Sequence, residues 1–495
     1  MLPKPYDHQE YLRQVHSSEA VAAMVTSPNA QVRELWSRLL RLVAAADPSS
    51  FHPDIRSWYA PIGRPPKDPY RIMRSLLLMI YLGHGSVREW YLTLHHSSAL
   101  AALCGWSADE PLPAIGTFYM FSHRACQTSP CRGVIRRKQR RIKGTKGEKL
   151  KPRRPQVVSR LLERYRRHPP KPPFPRWLSL WAKVLAGSLE RGLLGNLDDV
   201  FYVGDGSPVP SGANDRGHKT CDHGREPCDC PRRYADPGAR FGWDPNRECT
   251  FFGRHLVTIA ALGPCGPLPL YPRFYQGNRH DGVAFFCAQE EMFQILPGRV
   301  RLTKLAHDSA ADILAIYQRC EERGITPFID LNRRGTKEDA CGASWTHQLP
   351  HGLRLDDQGR ILCPAGIPTV PRGSSHHGKY QHLDCPKRRH PELKVSCPDS
   401  CHLSTKTASL KRAAALRLLT PVPRGSPTFQ RYYKKRTYVE QWYKQAKVDF
   451  AMATAGHRSD PFWNTRLYLT AMLMHFMAWA GLVKEKPMLR EVLGT

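Results

Sequence analysis

The chain has 495 residues, of which 74 are Lys or Arg and 43 are Asp or Glu, so its formal charge is +31 and its pI is near 9.8. This length allows two or more domains with a sizeable core. The surplus of positive charge argues against a monomeric enzyme of small metabolites and favours a polyanionic partner, because neutralised phosphates release counterions.

The N-terminal region predicts a set of short helices. Apolar periodicity indicates helices over 32–46, 70–82 and 118–124. Ser86, with Glu89 three residues later, has the pattern of a capping box and predicts the start of another helix. Short helices joined by tight turns are typical of a DNA-binding unit and equally of a helical packing domain.

A basic stretch follows over 132–175 and closes with the Pro-rich run 169–175. Its charge is too high for burial, so we expect a linker or an arm. The sign and density of the charge favour contact with a DNA backbone over a plain solvated linker.

From Asp198 the period changes to that of strands. The apolar run 199–206 predicts a buried strand that carries Asp205 at its tip. Further strands are expected over 255–262, 268–273, 299–306 and 325–331, and helices over 282–296 and 309–323. Three strands followed by alternating helix and strand indicate an α/β fold, an RNase H-like domain with a mixed sheet flanked by helices.

Residues 333–425 interrupt this pattern with Gly, Pro, Cys and basic residues. A gap of that length predicts an inserted subdomain or disorder. The apolar run 467–483 has 17 residues, at the lower limit for a membrane span, and we expect a buried helix there. Because the N-terminus also lacks the apolar core of a signal peptide, we expect a soluble protein with no membrane partner.

The segment 428–450 predicts a helix with two different faces. One face carries polar and charged residues, namely Tyr433, Arg436, Glu440 and Lys447. The opposite, mainly apolar face carries Tyr438, Val439, Trp442 and Ala446. On composition alone the charged face is typical of a solvated helix surface.

Three acidic residues form the candidate catalytic set: Asp205 and Asp308 at strand ends, and Glu440 on the late helix. Cutting or joining phosphodiesters uses two divalent ions, and hard Mg²⁺ prefers carboxylates. A single Asp at a strand end is more often a turn or cap residue, but three in this order are a stronger signal. Asp330 and Asp312 are rivals for the second position.

Fifteen cysteines without a secretory signal indicate reduced thiols or metal ligands rather than disulfides. Two groups have the character of structural zinc sites. The first group, accompanied by His218, is Cys221, His223, Cys228 and Cys230; the second is Cys363, Cys385, Cys397 and Cys401. For both groups the alternative is reduced cysteine without a ligand.

The spacing Tyr433-x2-Arg436-x3-Glu440-x6-Lys447 resembles the YREK signature of the insertion-sequence DDE transposases. Asp205-Gly, Gly277-Asn-x-His-Asp281, His307-Asp308 and Gly324-Ile-x-Pro327 occur in the order of that family. The helical N-terminal pattern is similar to the family's N-terminal domain. Many relatives carry Gly and Tyr just after the second acid, where this chain has Ser309-Ala310.

The resemblance implies a bacterial transposase that cuts the ends of its element and joins the 3′-hydroxyl to target DNA. It favours Asp308 over Asp330, and assigns Asp205, Asp308 and Glu440 to two Mg²⁺ or Mn²⁺ ions. It implies that Tyr433, Arg436 and Lys447, with Lys444 beside them, contact DNA. The implied partners are double-stranded DNA (terminal inverted repeats and target) and further copies of the chain, as a homodimer or a larger synaptic complex.

From the pattern and the resemblance together we expect four regions. These are a helical DNA-binding or dimerisation domain over 1–130, a basic arm over 131–196, a catalytic domain over 197–332 and 426–485, and a Cys-rich insertion over 333–425. The expected location is the bacterial cytoplasm, at the nucleoid. The alternatives are a catalytically inactive, transposon-derived DNA-binding protein and an RNase H-like nuclease without strand transfer.

Overall fold

A computed structural model gives the fold of the chain. It describes residues 2–107, 109–131, 133–139, 157–224, 228–245, 247–332, 337–338, 344–345, 347–356, 358–376, 378–397, 401, 403 and 405–483. The architecture is mixed α/β, with a helical N-terminal region followed by a mixed sheet.

The described part of the N-terminal region holds eight α-helices. They are α1 (His8–His16), α2 (Glu19–Val25), α3 (Ala30–Ala45), α4 (His52–Ser57), α5 (Pro69–Tyr81), α6 (Val87–His96), α7 (Ser98–Cys104) and α8 (Ile115–Ala125). Short polar side chains begin several of them: Asp68 accepts from the amides of Tyr70 and Arg71, and Ser86 accepts from those of Arg88 and Glu89. The predicted cap at Ser86 is confirmed, and α1, α2, α4 and α7 are additional to the predicted helices.

The expected arm contains regular structure where the structure describes it. The strand β1 (Val134–Arg136) is followed by α9 (Val157–Arg167) and α10 (Pro175–Glu190). Helix α9 is rich in arginine, yet it buries Leu162 and packs on α11 (Asp281–Ile295) and α12 (Leu314–Glu322). Long basic side chains on the outer face of such a helix leave its apolar stripe free to dock. Residues 140–156, which carry much of the basic run, lie outside the described residues.

The principal sheet has six strands. They are β2 (Val200–Pro210), β5 (Arg240–Asp244), β6 (Cys249–Gly263), β7 (Gly266–Gln276), β8 (Leu302–His307) and β9 (Thr326–Ile329). The hydrogen-bonded order is β5-β6-β2-β8-β9, and β7 also pairs with β6. Strands β2, β5 and β7 run antiparallel to β6, whereas β8 is parallel to β2 and β9 is parallel to β8. The predicted strands and the two predicted helices of this region are confirmed as elements.

Helix α16 (Asp460–Trp479) connects the sheet to the N-terminal helices. It packs on β7 and also on α3, α5, α8 and α10, and its residues from Pro461 to Ala478 are buried apart from Phe462. One apolar core therefore runs through both parts of the chain. The expectation of a buried helix over 467–483 is confirmed. Among the described helices none is long and apolar enough to cross a membrane.

Between β9 and the late helices the described residues form small sheets around a separate apolar core. One sheet joins β12 (His347–Gln348), β13 (Arg354–Leu355) and β14 (Ile361–Leu362); another joins β15 (Val370–Ser375), β16 (Tyr380–Asp384) and β17 (Ala408–Lys411). Two short strands, β10 (Lys337–Glu338) and β11 (Ser344–Trp345), pair with each other, and α13 (Pro386–Arg389) follows β16. The separate core includes Leu353, Leu355, Leu383, Leu403 and Leu410. A folded insertion is thus present in the described part of 333–425.

Candidate functional site

Asp205 lies within the central strand β2, which continues to Pro210, so the prediction that Asp205 is at the tip of its strand is wrong. It lies between two glycines that leave room for their neighbours. A Cβ on Gly204 would lie 2.2 Å from the Phe285 ring, and a Cβ on Gly206 would lie 2.2 Å from Nε2 of His255. Side chains from both directions therefore approach the backbone beside the acid. This packing is the physical reason why glycine follows Asp205 in the sequence.

Asp308 follows β8, the strand next to β2. Val203 pairs with Ala306 in this parallel ladder, so two residues further on Asp205 and Asp308 come to the same level of neighbouring strands. The Asp308 carboxylate accepts from the amide of Ala310 at 3.0 Å and thereby caps a short 3₁₀ turn. It also pairs with Nδ1 of His307 at 2.8 Å, a side chain that is only 2% exposed.

The charges of these three side chains act on one another. The pKa of Asp205 is raised to about 6: burial is the largest cause and the charge of Asp308 adds to it, while the charges of His307 and Arg436 oppose the rise. Burial also acts against ionised Asp308, but the hydrogen bond from His307 and the His307 charge lower the pKa of Asp308. Burial opposes charged His307, yet its bond to Asp308 raises the pKa of this imidazole.

The two rival acids differ in their surroundings. Asp330 follows β9, whose residue Ile329 pairs with His307, so Asp330 lies one strand beyond Asp308 at the same edge of the sheet. Its carboxylate accepts from the amide of Leu331 at 2.8 Å.

Asp312, the other rival, is enclosed and fully engaged by its neighbours. It accepts from Arg417 at 2.9 Å, from the Tyr317 hydroxyl at 3.0 Å and from the Asn332 amide at 2.9 Å. Its carboxylate also lies 3.6 Å from Arg424, and the side chain is 0% exposed. These partners give Asp312 a structural role between the sheet and the insertion.

The late segment is helical, but it is not the single α-helix that the sequence predicts. It runs as α14 (Pro427–Tyr433), a 3₁₀ turn (Lys434–Thr437), α15 (Tyr438–Lys444) and a π-helical turn (Gln445–Asp449). The tight turn and the wide turn change the angular spacing of side chains along the segment. Val439, Trp442 and Ala446 are buried as predicted, whereas Tyr438 is 40% exposed and leaves the apolar face.

Glu440 and Arg436 form an ion pair of 3.3 Å on the outer side of this segment, and the Glu440 side chain is 54% exposed. The charge of Arg436 lowers the pKa of both Asp205 and Asp308. Arg436 thus bonds the helix acid, and its charge also acts on the two acids of the sheet.

The three other residues of the predicted DNA-contacting face differ in exposure. Tyr433 is half-buried, stacks on Phe429 at 5.9 Å between ring centroids, and has its pKa raised by burial and by the charges of Asp330 and Asp308. Lys447 donates to the Ser207 hydroxyl at 2.9 Å, and burial lowers its pKa. Lys444 is exposed.

Tyr443 fixes the helix to the sheet, and the sequence analysis did not single it out. Its hydroxyl donates to the main-chain carbonyl of Asp205 at 2.5 Å and accepts from the amide of Thr258 at 3.1 Å. Asp205 and Thr258 are partners in the β2–β6 ladder, so the hydroxyl bridges the two strands at the level of the acid. The available signal was a Tyr beside the buried Trp442, since a buried Tyr hydroxyl needs a partner.

Compact metal-ligand geometry occurs at the first cysteine group. The ligand atoms of Cys221, His223, Cys228 and Cys230 all lie within 4.8 Å of one another, close enough to hold one metal ion. Among the described residues, this is the set of three or more His, Cys, Asp or Glu with that geometry. His218 lies on β3 (His218–Lys219), outside this set. Asp205, Asp308 and Glu440 do not form such a set. Nor does the second cysteine group, although Cys363, Cys385 and Cys401 share one apolar core.

The comparison with protein families gives one match. The model described as "Transposase domain (DUF772)" matches residues 26–124, which include helices α3 to α8. The chain is therefore similar to transposases over its N-terminal helices, and this supports a nucleic-acid-processing enzyme of the transposase kind. The match does not extend to the acidic residues. No curated protein matches the chain.

Proposed function

We propose that this chain is a DNA transposase of the DDE class, from a bacterial insertion sequence, with Asp205, Asp308 and Glu440 as its catalytic acids. The observation that carries the proposal is the parallel register of β2 and β8, which places Asp205, within β2, at the level of Asp308, directly after β8. Arg436 forms an ion pair with Glu440, and its charge also acts on Asp205 and Asp308. The transposase match over 26–124 supports a transposase, independently of the acids.

The topology of the sheet supports an RNase H-like catalytic domain. Following the chain, β2, β6 and β7 pair antiparallel, and β8 and β9 then add in parallel on the other side of β2. Helices α11 and α12 provide the crossovers. Asp308 follows β8, and Asp205 lies at the same level within β2, near the edge of the sheet where ligands of α/β folds commonly bind.

The acidic donor set suits a hard divalent cation such as Mg²⁺ or Mn²⁺. The Asp205 side chain is half-buried near Asp308, and its pKa of about 6 reflects desolvation and the neighbouring negative charge. A nearby cation favours the ionised form of both acids. Two such ions, when bound, supply an activated nucleophilic oxygen and stabilise the leaving oxygen of the phosphodiester.

The chain's own residues position the acids and the DNA in this proposal. Tyr443 fixes the backbone of Asp205, and His307 orients the carboxylate of Asp308. Arg436, on the outer side, has the geometry to exchange its bond with Glu440 for a phosphate oxygen. The formal charge of +31 supports a long contact with duplex DNA. Cutting two ends together further favours a homodimer or a larger complex.

Cleavage of a DNA fragment that carries the sequences flanking the gene tests this function. We expect the wild type to cut with Mg²⁺ or Mn²⁺. Asp205→Ala, Asp308→Ala and Glu440→Ala should each lose at least about 100-fold in rate, because metal stabilisation of a transition state is worth several kcal/mol. These variants should keep DNA binding, and Asp330→Ala should keep cutting. A wild type that binds the fragment and never cuts would favour the inactive DNA-binding alternative.

A further inference from the structure

The loop between β3 and β4 (Arg232–Tyr234) gathers three thiols and one imidazole. The ligand residues come in two pairs, Cys221-x-His223 on one side of the loop and Cys228-x-Cys230 on the other. Each pair is separated by one residue, so both of its side chains point to the same side of an extended backbone. Their ligand atoms lie within 4.8 Å of one another.

Two of the separations between ligand atoms match the edges of a zinc tetrahedron. Zn–S bonds of about 2.3 Å and Zn–N bonds of about 2.0 Å at tetrahedral angles place two sulfurs about 3.8 Å apart, and a sulfur and a nitrogen about 3.5 Å apart. The Sγ atoms of Cys221 and Cys228 are 3.7 Å apart, and Sγ of Cys230 lies 3.4 Å from Nε2 of His223. A disulfide would require about 2.0 Å between sulfurs.

The groups around the ligands compensate the charge of such a site. Three thiolates and a neutral imidazole around Zn²⁺ leave one net negative charge. The buried guanidinium of Arg232 lies 3.8 Å from Sγ of Cys228, and the Lys138 amine donates to the Cys228 carbonyl at 3.0 Å. Outer partners of this kind are typical of metal sites.

The same loop supports the sheet that holds β1. Strand β4 pairs with β3 on one side and with β1 on the other, where Ile135 is opposite Arg233. The Arg136 guanidinium lies 4.4 Å from the Tyr234 ring centroid, and the Gln139 amide donates to the Tyr234 hydroxyl at 2.8 Å. Residues 134–139, near the start of the basic stretch 132–175, are thus fixed to the β1-β4-β3 sheet.

We propose that Cys221, His223, Cys228 and Cys230 form a structural Zn²⁺ site that orders the β1-β4-β3 sheet and thereby fixes the start of the basic segment. A sheet of two- to three-residue strands buries little apolar surface, so it gains most from a metal cross-link between its strands. The site stands apart from the acidic residues and does not rest on the proposed DNA cleavage.

Zinc content of the purified full-length chain tests the site. We compare the wild type, the double variant Cys228→Ser/Cys230→Ser, and Cys249→Ser as a control at an exposed cysteine outside the cluster. The double variant should contain one zinc per chain less than the wild type, and the control should match the wild type. Comparison by difference separates this site from any zinc at the second cysteine group. Equal zinc in all three proteins would overturn the proposal.

Alkylation of the unmutated chain gives a result that does not depend on the folding of a variant. With zinc bound, Cys221, Cys228 and Cys230 should resist alkylation and should react after chelation, whereas Cys249 should react in both states. Equal reactivity before and after chelation would contradict the site.

Hydrogen exchange tests the role of the metal. Chelation should speed exchange at least about tenfold in β1 and β4, which unfold without the metal, and should leave exchange in β2 and β6 unchanged. Unchanged exchange in β1 would overturn the ordering role.

Discussion

The hydroxyl of Tyr443 donates a hydrogen bond of 2.5 Å to the main-chain carbonyl of Asp205, which carries the first acid of the proposed catalytic set. The same oxygen accepts from Thr258 on the neighbouring strand. This bond thus joins the helix that carries Glu440 to the strand that carries Asp205. It lies three residues after Glu440 on the helix and at the backbone of Asp205 on the strand. The relative position of the two acids depends on this contact.

Tyr443→Phe removes the bridging hydroxyl while keeping the ring in its buried position. The Thr258 amide and the Asp205 carbonyl lose a partner, so we expect a loss of about 1–3 kcal/mol in the free energy of unfolding. Cleavage should fall by up to about 100-fold through misplacement of Asp205, with DNA binding retained. Tyr438→Phe, on the same helix at 40% exposure, should change stability by less than about 0.5 kcal/mol. Equal effects of the two substitutions would contradict the positioning role.

Asp312→Asn removes one partner of an enclosed charge cluster. Arg417 at 2.9 Å and the buried Arg424 at 3.6 Å would lose their counter-charge, and such a loss costs about 3–5 kcal/mol. We expect a lower unfolding midpoint, with the effect strongest in residues of the insertion when followed by hydrogen exchange. Asp198→Asn, at an exposed position, is the matched control and should leave the midpoint unchanged. An Asp312→Asn protein as stable as the control would show that the cluster contributes little.

Asp384 makes the stability of the insertion depend on pH. Its pKa is lowered to about 2 by a hydrogen bond from Thr407 and by Arg389 and Arg388. The unfolded value is about 3.9, so the stabilisation is fully present above pH 4 and is lost as pH falls toward 2. The difference in unfolding midpoint between wild type and Asp384→Asn should therefore shrink between pH 5 and pH 2.5. A difference that stays constant over this range would contradict the assignment.

Lys444 and Lys447 should affect DNA differently because their amines have different surroundings. Lys444 is exposed, and its removal should lower the slope of log affinity against log salt by about one, as expected for one phosphate contact. Lys447 donates to Ser207 on β2, so Lys447→Met should leave that slope unchanged and reduce cleavage. Filter binding across a salt series measures both slopes. A larger slope change for Lys447→Met would reverse these roles.

Local patterns predicted much of the sheet because its strands are continuous apolar runs. The expected run 199–206 covers the first part of β2, which continues to Pro210, and the helix over 282–296 is α11, which is buried on nearly all sides. The pattern failed where the geometry departs from a regular period. A 3₁₀ turn precedes the exposed Tyr438 and a π turn follows α15, and no spacing rule locates these turns.

Contacts between segments far apart in the chain could not be predicted from the sequence either. The bond between Tyr443 and Asp205, or the enclosure of Asp312 by Arg417 and Arg424, arises from packing of segments far apart in the chain. The first cysteine group has a spacing unlike a standard finger, yet the loop gathers its ligands. The second group has Cys-Pro pairs, and three of its cysteines, Cys363, Cys385 and Cys401, lie in one apolar core.

The assignment of Asp308 as the second catalytic acid is tested by replacing the carboxylate with a thiol. A thiolate at a metal-binding position accepts Mn²⁺ better than Mg²⁺, because it is a softer ligand than a carboxylate. We would measure cleavage by Asp308→Cys and Asp330→Cys with each ion. We expect Asp308→Cys to be inactive with Mg²⁺ and to regain cutting with Mn²⁺, while Asp330→Cys cuts with both ions. If instead Asp330→Cys needs Mn²⁺ and Asp308→Cys cuts with Mg²⁺, Asp308 is not the second acid and Asp330, after β9, takes its place.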